Sequence, residues 1–301
     1  MILGWFNPLT NRIVPMDDPG IEMVMPREVL CYMVEKEKGD KRHSGDSITV
    51  TSSMGCARAM GINRMLPTNP DPQKMWPMTG GTMIHKPLAE MYENSEDWWT
   101  EEKYPEKCSF IGEIDGVKMG CLLDLVKRDY SKIWDWKTSF KDKTKWLKVG
   151  DRSSTTNPWN SSYAVQLNLG AELVQQQEQR DMSEAELAAW IVSGRWQKVL
   201  CDRASVLECL NAEVGTGKYT KGRRWKYGEV LDHVKRMFEM WREAAIPYNG
   251  QLEEVPLDKR REIIRGLPMF GESMFNNAKG GNMCTDYCAV RKDCMNIGGG
   301  L

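Results

Sequence analysis

An α+β (mixed α/β) fold is predicted from three observations. Ser109 to Ser139 read as strands around a tight turn, Tyr163 to Glu178 and Glu229 to Ala245 carry apolar residues at 3–4 spacing, and a second hairpin signal lies between those two helices. Helix, three strands, helix, hairpin, helix is the expected order. Upstream, residues 1–80 mix short helical patterns with loops punctuated by Pro67, Pro70, Pro72 and Pro77, with helices expected over Val29 to Lys38 and Met54 to Met65. Asp115-Gly116 is the hairpin turn between Phe110–Ile114 and Val117–Val126, and a turn around Arg128 to Ser131 leads into Lys132–Lys137. Three antiparallel strands result. The lysine-rich stretch Lys141 to Asn160 reads as a loop or lid, and Ile191 to Trp196 as a hairpin. In the last helix Val230, Val234, Met237, Phe238 and Trp241 share one face, and His233 on that face reads as a packed histidine.

Composition narrows the function. The 301 residues carry 41 Lys+Arg against 42 Asp+Glu, a net charge of -1, which excludes a grip on nucleic acid by bulk positive charge and leaves room for a local basic groove. No apolar run approaches the about 18 residues of a membrane span, and the opening residues lack the pattern of a secretory signal. A cytoplasmic address and reduced thiols are the expectation. Twelve Trp and 20 Met suit a bulky core, with extra aromatic surface for stacking on bases as the lesser alternative.

The chemistry concentrates near the predicted strands. Side chains alternate along a strand, so Asp135 and Lys137 in Asp135-Trp136-Lys137 share a face. An antiparallel neighbour carrying Asp124 would bring a second carboxylate beside them. Two carboxylates and an ammonium suit phosphodiester hydrolysis with Mg²⁺ or Mn²⁺, the acids as ligands and the lysine as a charge aimed at the transition state. Taken alone, the tripeptide is better read as a salt-bridged surface strand. Its companions, His85 after Gly80-Gly81-Thr82 and Gln166 in the following helix, make an ordered set. Thr82 is the expected cap of a helix with His85 in its first turns, although Pro87 falls two residues later.

Histidine, Asp, Asp-x-Lys, then Gln, in that order, resembles the PD-(D/E)XK nuclease superfamily, in particular its RecB-like iron-sulfur exonuclease branch of CRISPR-associated and phage-encoded proteins. The resemblance runs from about Ser52 to Cys294. It implies a restriction-endonuclease-like core, with a central mixed or mostly antiparallel sheet flanked by helices. It also implies His85, Asp124 and Asp135 as metal ligands helped by the Trp136 carbonyl, Lys137 as the catalytic lysine, and Gln166 as an orienting or substrate-contacting residue. One departure is Gly170, where the branch motif has tyrosine; Tyr163, one turn before Gln166, is the candidate replacement.

Cys284, Cys288 and Cys294 lie within eleven residues, one ligand short of a structural zinc or iron-sulfur site. The resemblance implies Cys56 as the fourth ligand of a 4Fe-4S cluster, stapling the two ends of the chain. Zinc is the alternative, as is a different fourth ligand such as Cys31 or His43, and the spacing of three residues between Cys284 and Cys288 departs from the branch's usual two. Cys108, Cys121, Cys201 and Cys209 have no ligand spacing and are expected to be buried. Lys143 and Lys145 beside Trp146, and Arg223 and Arg224 beside Trp225, combine charge with an aromatic ring and are candidate DNA contacts, with solvated loops as the alternative.

The expected organisation is an N-terminal region (1–80) with one cluster cysteine, a nuclease core (81–250) and a cysteine-rich segment (251–301) packed on the first. The expected function is a metal-dependent exonuclease acting on DNA ends, implied to be single-stranded and 5′ to 3′, in phage or prokaryotic recombination, end processing or CRISPR-type adaptation alongside the proteins of those pathways. A structure-specific endonuclease, a catalytically silent DNA-binding module and a zinc-stapled interaction protein are the rivals.

Overall fold

The computed structural model describes residues 4–7, 12–15, 18, 25–26, 28–33, 46–138, 158–192, 196–214, 225–268 and 288–297. A hairpin of β1 (Gly4–Asn7) and β2 (Arg12–Pro15) comes first, then α1 (residues 28–33), β3 (Ile48–Thr49), α2 (Val50–Ser53), α3 (Ala57–Met65) and α4 (Pro72–Glu90). The middle of the chain holds β4 (Trp98–Thr100), α5 (Pro105–Cys108), β5 (Ser109–Ile114), β6 (Val117–Leu122), β7 (Leu125–Lys127), β8 (Lys132–Thr138) and α6 (Pro158–Glu178). After it come β9 (Glu186–Val192), β10 (Trp196–Cys201), α7 (Val206–Asn211), β11 (Glu213–Val214), β12 (Trp225–Lys226), α8 (Tyr227–Ala245), α9 (Leu257–Arg265) and α10 (Arg291–Ile297). The fold is α+β.

A five-stranded mixed sheet, in the order β10-β9-β8-β7-β4, forms the centre, and a three-stranded sheet, β3-β6-β5, lies beside it. Asp115 and Gly116 both take positive φ, 49° and 76°, as a two-residue turn between twisted strands requires, and set Ile114 opposite Val117. The continuous strand expected over Val117 to Val126 is broken at Leu123-Asp124. Its first part stays with β5, and its second crosses to pair with β8, Leu125 opposite Trp134. Asp124 therefore sits at the junction of the two sheets. The hairpin signal at Ile191 to Trp196 corresponds to antiparallel β9 and β10, with Val192 opposite Trp196, while residues 193–195 lie outside the described residues.

Helix α6 is buried nearly all round: Ala164, Val165, Leu167, Leu169, Ala171, Leu173 and Val174 all belong to the main core, between the two sheets. The glutamines near its C-terminal end grip the neighbouring strand. Gln176 accepts from Glu113 N and donates to Glu113 O, both at 3.0 Å, and Gln177 accepts from Ile111 N at 3.0 Å. Side chains thereby satisfy the open edge of β5, which would otherwise offer unpaired backbone groups. Asn168 locks the far end of β10 to the same helix by donating to Asp202 O and accepting from Ala204 N. Helix α8 buries the expected stripe, and His233 packs edge-on against Trp225, ring centroids 5.6 Å apart.

Helix α4 differs most from expectation. It starts at Pro72, a residue whose missing N–H is no loss in a first turn, and Asp71 caps it by accepting from Gln73 N at 3.0 Å. It then runs through Pro77 and Pro87, because burial of Leu88 and Ile84 against Leu125 and Trp136 outweighs the ladder hydrogen bonds the prolines remove. Position 82 is helix interior, not a cap, and His85 lies in the last turns. Of the helix expected over Val29 to Lys38, residues 28–33 are helical and the rest lies outside the described residues. Of the stretch expected as a loop, 141–157 also lies outside them, and α6 already begins at Pro158. No helix among the described residues is long and apolar enough to cross a membrane.

Candidate metal centre

The junction between β6 and β7 leaves Asp124 beside β8, where its Oδ2 accepts the backbone N–H of Trp136. It is 6% exposed. On β8, Asp135 and Lys137 share the face turned to α6, and Trp134 and Trp136 take the other. Lys137 Nζ is ion-paired with Asp135 Oδ2, donates to Gln166 Oε1 at 3.1 Å and lies 5.4 Å from the centre of the Tyr163 ring. From α4, His85 Nδ1 comes to 3.4 Å from Asp124 Oδ1. Gly81 allows that approach: a Cβ there would meet Thr138 Oγ1, at the end of β8, at 2.7 Å. All four side chains of the predicted set, together with Gln166, therefore converge.

The compact donor set has one unexpected member. Among the described residues, one ligand atom each of His85, Glu101 and Asp124 lie within 4.8 Å of one another. Glu101 follows β4 in a turn, and its N–H donates to Asp124 O at 3.3 Å, which ties the turn to the sheet junction. Asp135, expected as a ligand, stands outside this tight triad, held against the ammonium of Lys137; its buried Oδ2 has that ion contact but no aligned hydrogen bond. The sequence signal for Glu101 was an aromatic run, Trp98-Trp99-Thr100, ending in two acids. That run is a strand with a carboxylate at its tip.

Electrostatics follow from the crowding. Burial works against a charged His85, but the hydrogen bond and charge of Asp124, with the charges of Asp135 and Glu101, outweigh it and raise its pKa. Burial likewise opposes the charge on Asp124, yet His85, Lys137 and the Trp136 N–H leave it below the ordinary carboxylate range. Asp135 is pushed up to about 6 by burial, with Asp124 adding to the rise and Lys137 opposing it. Lys137 is raised, because the two aspartates outweigh its burial. The site concentrates negative charge around one nitrogen and several oxygens, a donor set that fits Mn²⁺ or Mg²⁺, with the imidazole favouring the transition ion.

A Cβ at Gly170, the position where the resemblance has a tyrosine, would lie 3.0 Å from Leu123 Cδ2, so Leu123 would have to shift to admit a side chain there. Tyr163 instead places its ring by Lys137.

Cys56 is the N-cap residue of α3, with its Sγ 3.9 Å from Pro268 O, and α10, carrying Cys294, packs on α3. Burial raises the Cys294 thiol, the nearby Cys56 adds to this and Arg58 opposes it. Cys288 lies just before α10 and is partly buried against the main core. Cys284 lies outside the described residues. Among those that are described, no three thiols fall within 4.8 Å of one another, and no disulfide links any pair. Cys108, Cys121, Cys201 and Cys209 are buried, as their lack of ligand spacing suggested. Lys143, Lys145, Trp146, Arg223 and Arg224 lie outside the described residues. Trp225 is a correction: it packs into the core, 8% exposed, and offers no open ring face to a base.

No family model matches the chain, and no curated protein does. Among solved structures, one described as "Crystal structure of SSO0001" is similar over 60% of this chain and 79% of its own, at 16% identity and a TM-score of 0.41, a likeness too weak to bear on function.

Proposed function

We propose that this chain is a metal-dependent DNA exonuclease of the RecB-like iron-sulfur type. The observation that carries the reading is the convergence of His85, Glu101 and Asp124 on one point, beside an Asp135–Lys137 pair fixed from α6 by Gln166. His85, Glu101 and Asp124 would hold Mg²⁺ or Mn²⁺, with Asp135 and the Trp136 carbonyl at its margin. When bound, such a cation supplies positive charge to a phosphoryl oxygen and makes the attacking water more acidic.

The protein's own groups do the positioning. Asp135 by its charge and Gln166 by an aligned hydrogen bond hold the Lys137 ammonium, so its charge stands ready where negative charge develops on the phosphate and needs no reorganisation during the reaction. Asp124, fixed by the Trp136 N–H, orients His85 through its Nδ1. Tyr163 covers the ammonium from the side of α6. A binding module has no use for a buried ammonium braced in this way, which favours the catalyst over the silent DNA-binding alternative.

Cys56, Cys284, Cys288 and Cys294 would hold a 4Fe-4S cluster that organises the fold and takes no part in the cut. The packing of α10 on the helix that Cys56 caps supports that role. Purified anaerobically, the protein would contain iron and sulfide; a colourless preparation with one zinc would refute the cluster. Mn²⁺-dependent degradation of linear DNA that Lys137→Ala abolishes while DNA binding survives is the test of the activity. Degradation of circular single strands would redirect the reading to an endonuclease on the same site.

A further inference from the structure

We infer that Trp196 is a stacking platform for an unpaired base of a single-stranded DNA whose backbone enters the metal centre. The inference deepens the nuclease reading and rests on it.

Most of the tryptophans serve packing, and Trp196 does not. It is 54% exposed at the start of β10. Its indole is held edge-to-face by Trp136 (centroids 5.9 Å apart, planes at 78°) and by Trp190 (6.3 Å, 75°), and Trp136 is itself buried. A ring fixed from two sides and left open elsewhere is a rigid, preorganised surface. Its location is set by register: Trp196 lies opposite Val192, and Val192 opposite Thr138, the neighbour of Lys137. Two strand spacings, about 10 Å, separate it from the end of β8. Alternation puts Trp196, with Val192, Thr138 and Trp136, on the sheet face opposite Asp135 and Lys137, so a strand that passes over the end of β8 would bring the nucleotides flanking a phosphate at the centre to the ring. The contact is also direct in the chain, since Trp136, on which Trp196 leans, lies between Asp135 and Lys137 and fixes Asp124 through its N–H.

The surroundings favour a nucleic acid over a protein partner. Beyond Trp196 the same face carries Trp134 and Trp190, half-buried, with the Lys198 ammonium 4.8 Å and 5.8 Å from their ring centres and that of Lys132 5.8 Å from Trp134. Lys198 pairs with Glu186 at 2.6 Å. The Lys198–Glu186 ion pair interrupts the apolar face of β10 between Trp196 and the exposed Leu200. One open ring, with the Lys198 ammonium two residues along the same face of β10, matches a flat base on an anionic backbone. A base in a duplex is stacked on both faces and paired at its edge, so only an unpaired one can use the ring.

The test uses the full-length protein, with Ca²⁺ in place of Mn²⁺ to limit cutting, a fluorescein-labelled oligo-dT and a blunt hairpin duplex. Trp196→Ala is expected to weaken oligo-dT binding about tenfold or more, as loss of one stacked base does, and Trp196→Phe to stay within about threefold of the wild type. Duplex binding and Mn²⁺ affinity are expected to stay within about threefold for both variants. As a readout that needs no variant, an oligo-dT carrying 5-iodouracil should photo-crosslink to the peptide containing Trp196. Wild-type affinity for oligo-dT in Trp196→Ala, an equal loss on duplex and single strand, or a crosslink map that omits Trp196 would overturn the inference. So would a change of oligomeric mass in Trp196→Ala with DNA binding intact, which would make the face a self-association surface. If the wild type degrades DNA with Mn²⁺ in any of those cases, the nuclease reading survives; a wild type that neither binds nor cuts DNA removes both.

Discussion

Glu101→Gln separates the geometric triad from the set the sequence implies. The substitution keeps the size of the side chain and removes one charge from a cluster whose donor atoms lie within 4.8 Å of one another. Losing a residue that only orients a metal ligand typically weakens binding about 10–100-fold, so losing a charged donor should cost at least the upper figure, about 2.8 kcal/mol. Thermal unfolding converts this into a directly read quantity. At Mn²⁺ set to one hundred times the wild-type Kd, binding stabilises the wild type by about 2.7 kcal/mol, and a variant binding a hundredfold more weakly by only about 0.4 kcal/mol. At about 2 °C per kcal/mol for a chain of this size, the Mn²⁺-induced rise in Tm falls from about 5 °C to about 1 °C. Without metal, relieved repulsion with Asp124 and lost attraction to His85 oppose each other, so the metal-induced rise in Tm, not the apo Tm, is the readout. Glu102→Gln, at the exposed neighbouring position, is the control. Calorimetric Mn²⁺ affinity for Glu101→Gln within about threefold of the wild type would refute the ligand assignment.

The same geometry sets three further outcomes. Mn²⁺ affinity should rise with pH across the range in which His85, its pKa raised, and Asp135, its pKa about 6, lose protons, because a cation must displace the His85 proton and its charge favours the ionised form of the adjoining Asp135; equal binding enthalpies in buffers of different ionisation heat would show that no proton is released. Lys137→Ala should lower the cleavage rate by about a hundredfold or more while Mn²⁺ binding persists, since it removes charge from the transition state and none from the triad; retained cleavage would exclude the lysine. Gly61→Val should lower Tm by about 4 °C, because a Cβ at Gly61 already meets Leu267 Cδ1 at 2.9 Å and Met237 Sδ at 3.2 Å, and overpacking of this kind costs about 2 kcal/mol; an unchanged Tm would mean that α3, α8 and α9 pack more loosely there.

Local signals carried much of this architecture. The Asp115-Gly116 turn, the apolar stripe of α8, the β9–β10 hairpin and the same-face pair Asp135 and Lys137 each depend on residues a few positions apart, and each stands in the structure as the pattern implies. The features that eluded the pattern are long-range. The break at Leu123-Asp124 is imposed by two sheets competing for one apolar run, and nothing in that run marks where the exchange falls. Pro77 and Pro87 suggest a broken helix, yet burial against β7 and β8 keeps α4 whole. Glu101 joins the donor cluster only because β4 pairs with β7, twenty-five residues away in sequence, which brings Thr100 opposite Leu125. Trp225 sits in a basic stretch that reads as a DNA contact and is drawn into the core beside α8.

The segment that carries Cys288 and Cys294 also holds the beginning of α4. Ala289 O accepts from Asp71 N at 2.9 Å, Asp293 Oδ2 accepts from Asn69 N at 3.2 Å, and Asp71 is the cap from which the helix bearing His85 starts. Deleting residues 288–297, or oxidising their thiols, would therefore blunt cation binding from a distance by fraying the root of a helix whose tip supplies the imidazole. Truncation and purification-tag designs that treat this stretch as dispensable should show a depressed ion affinity together with the loss of the core contacts of Val290 and Ile297.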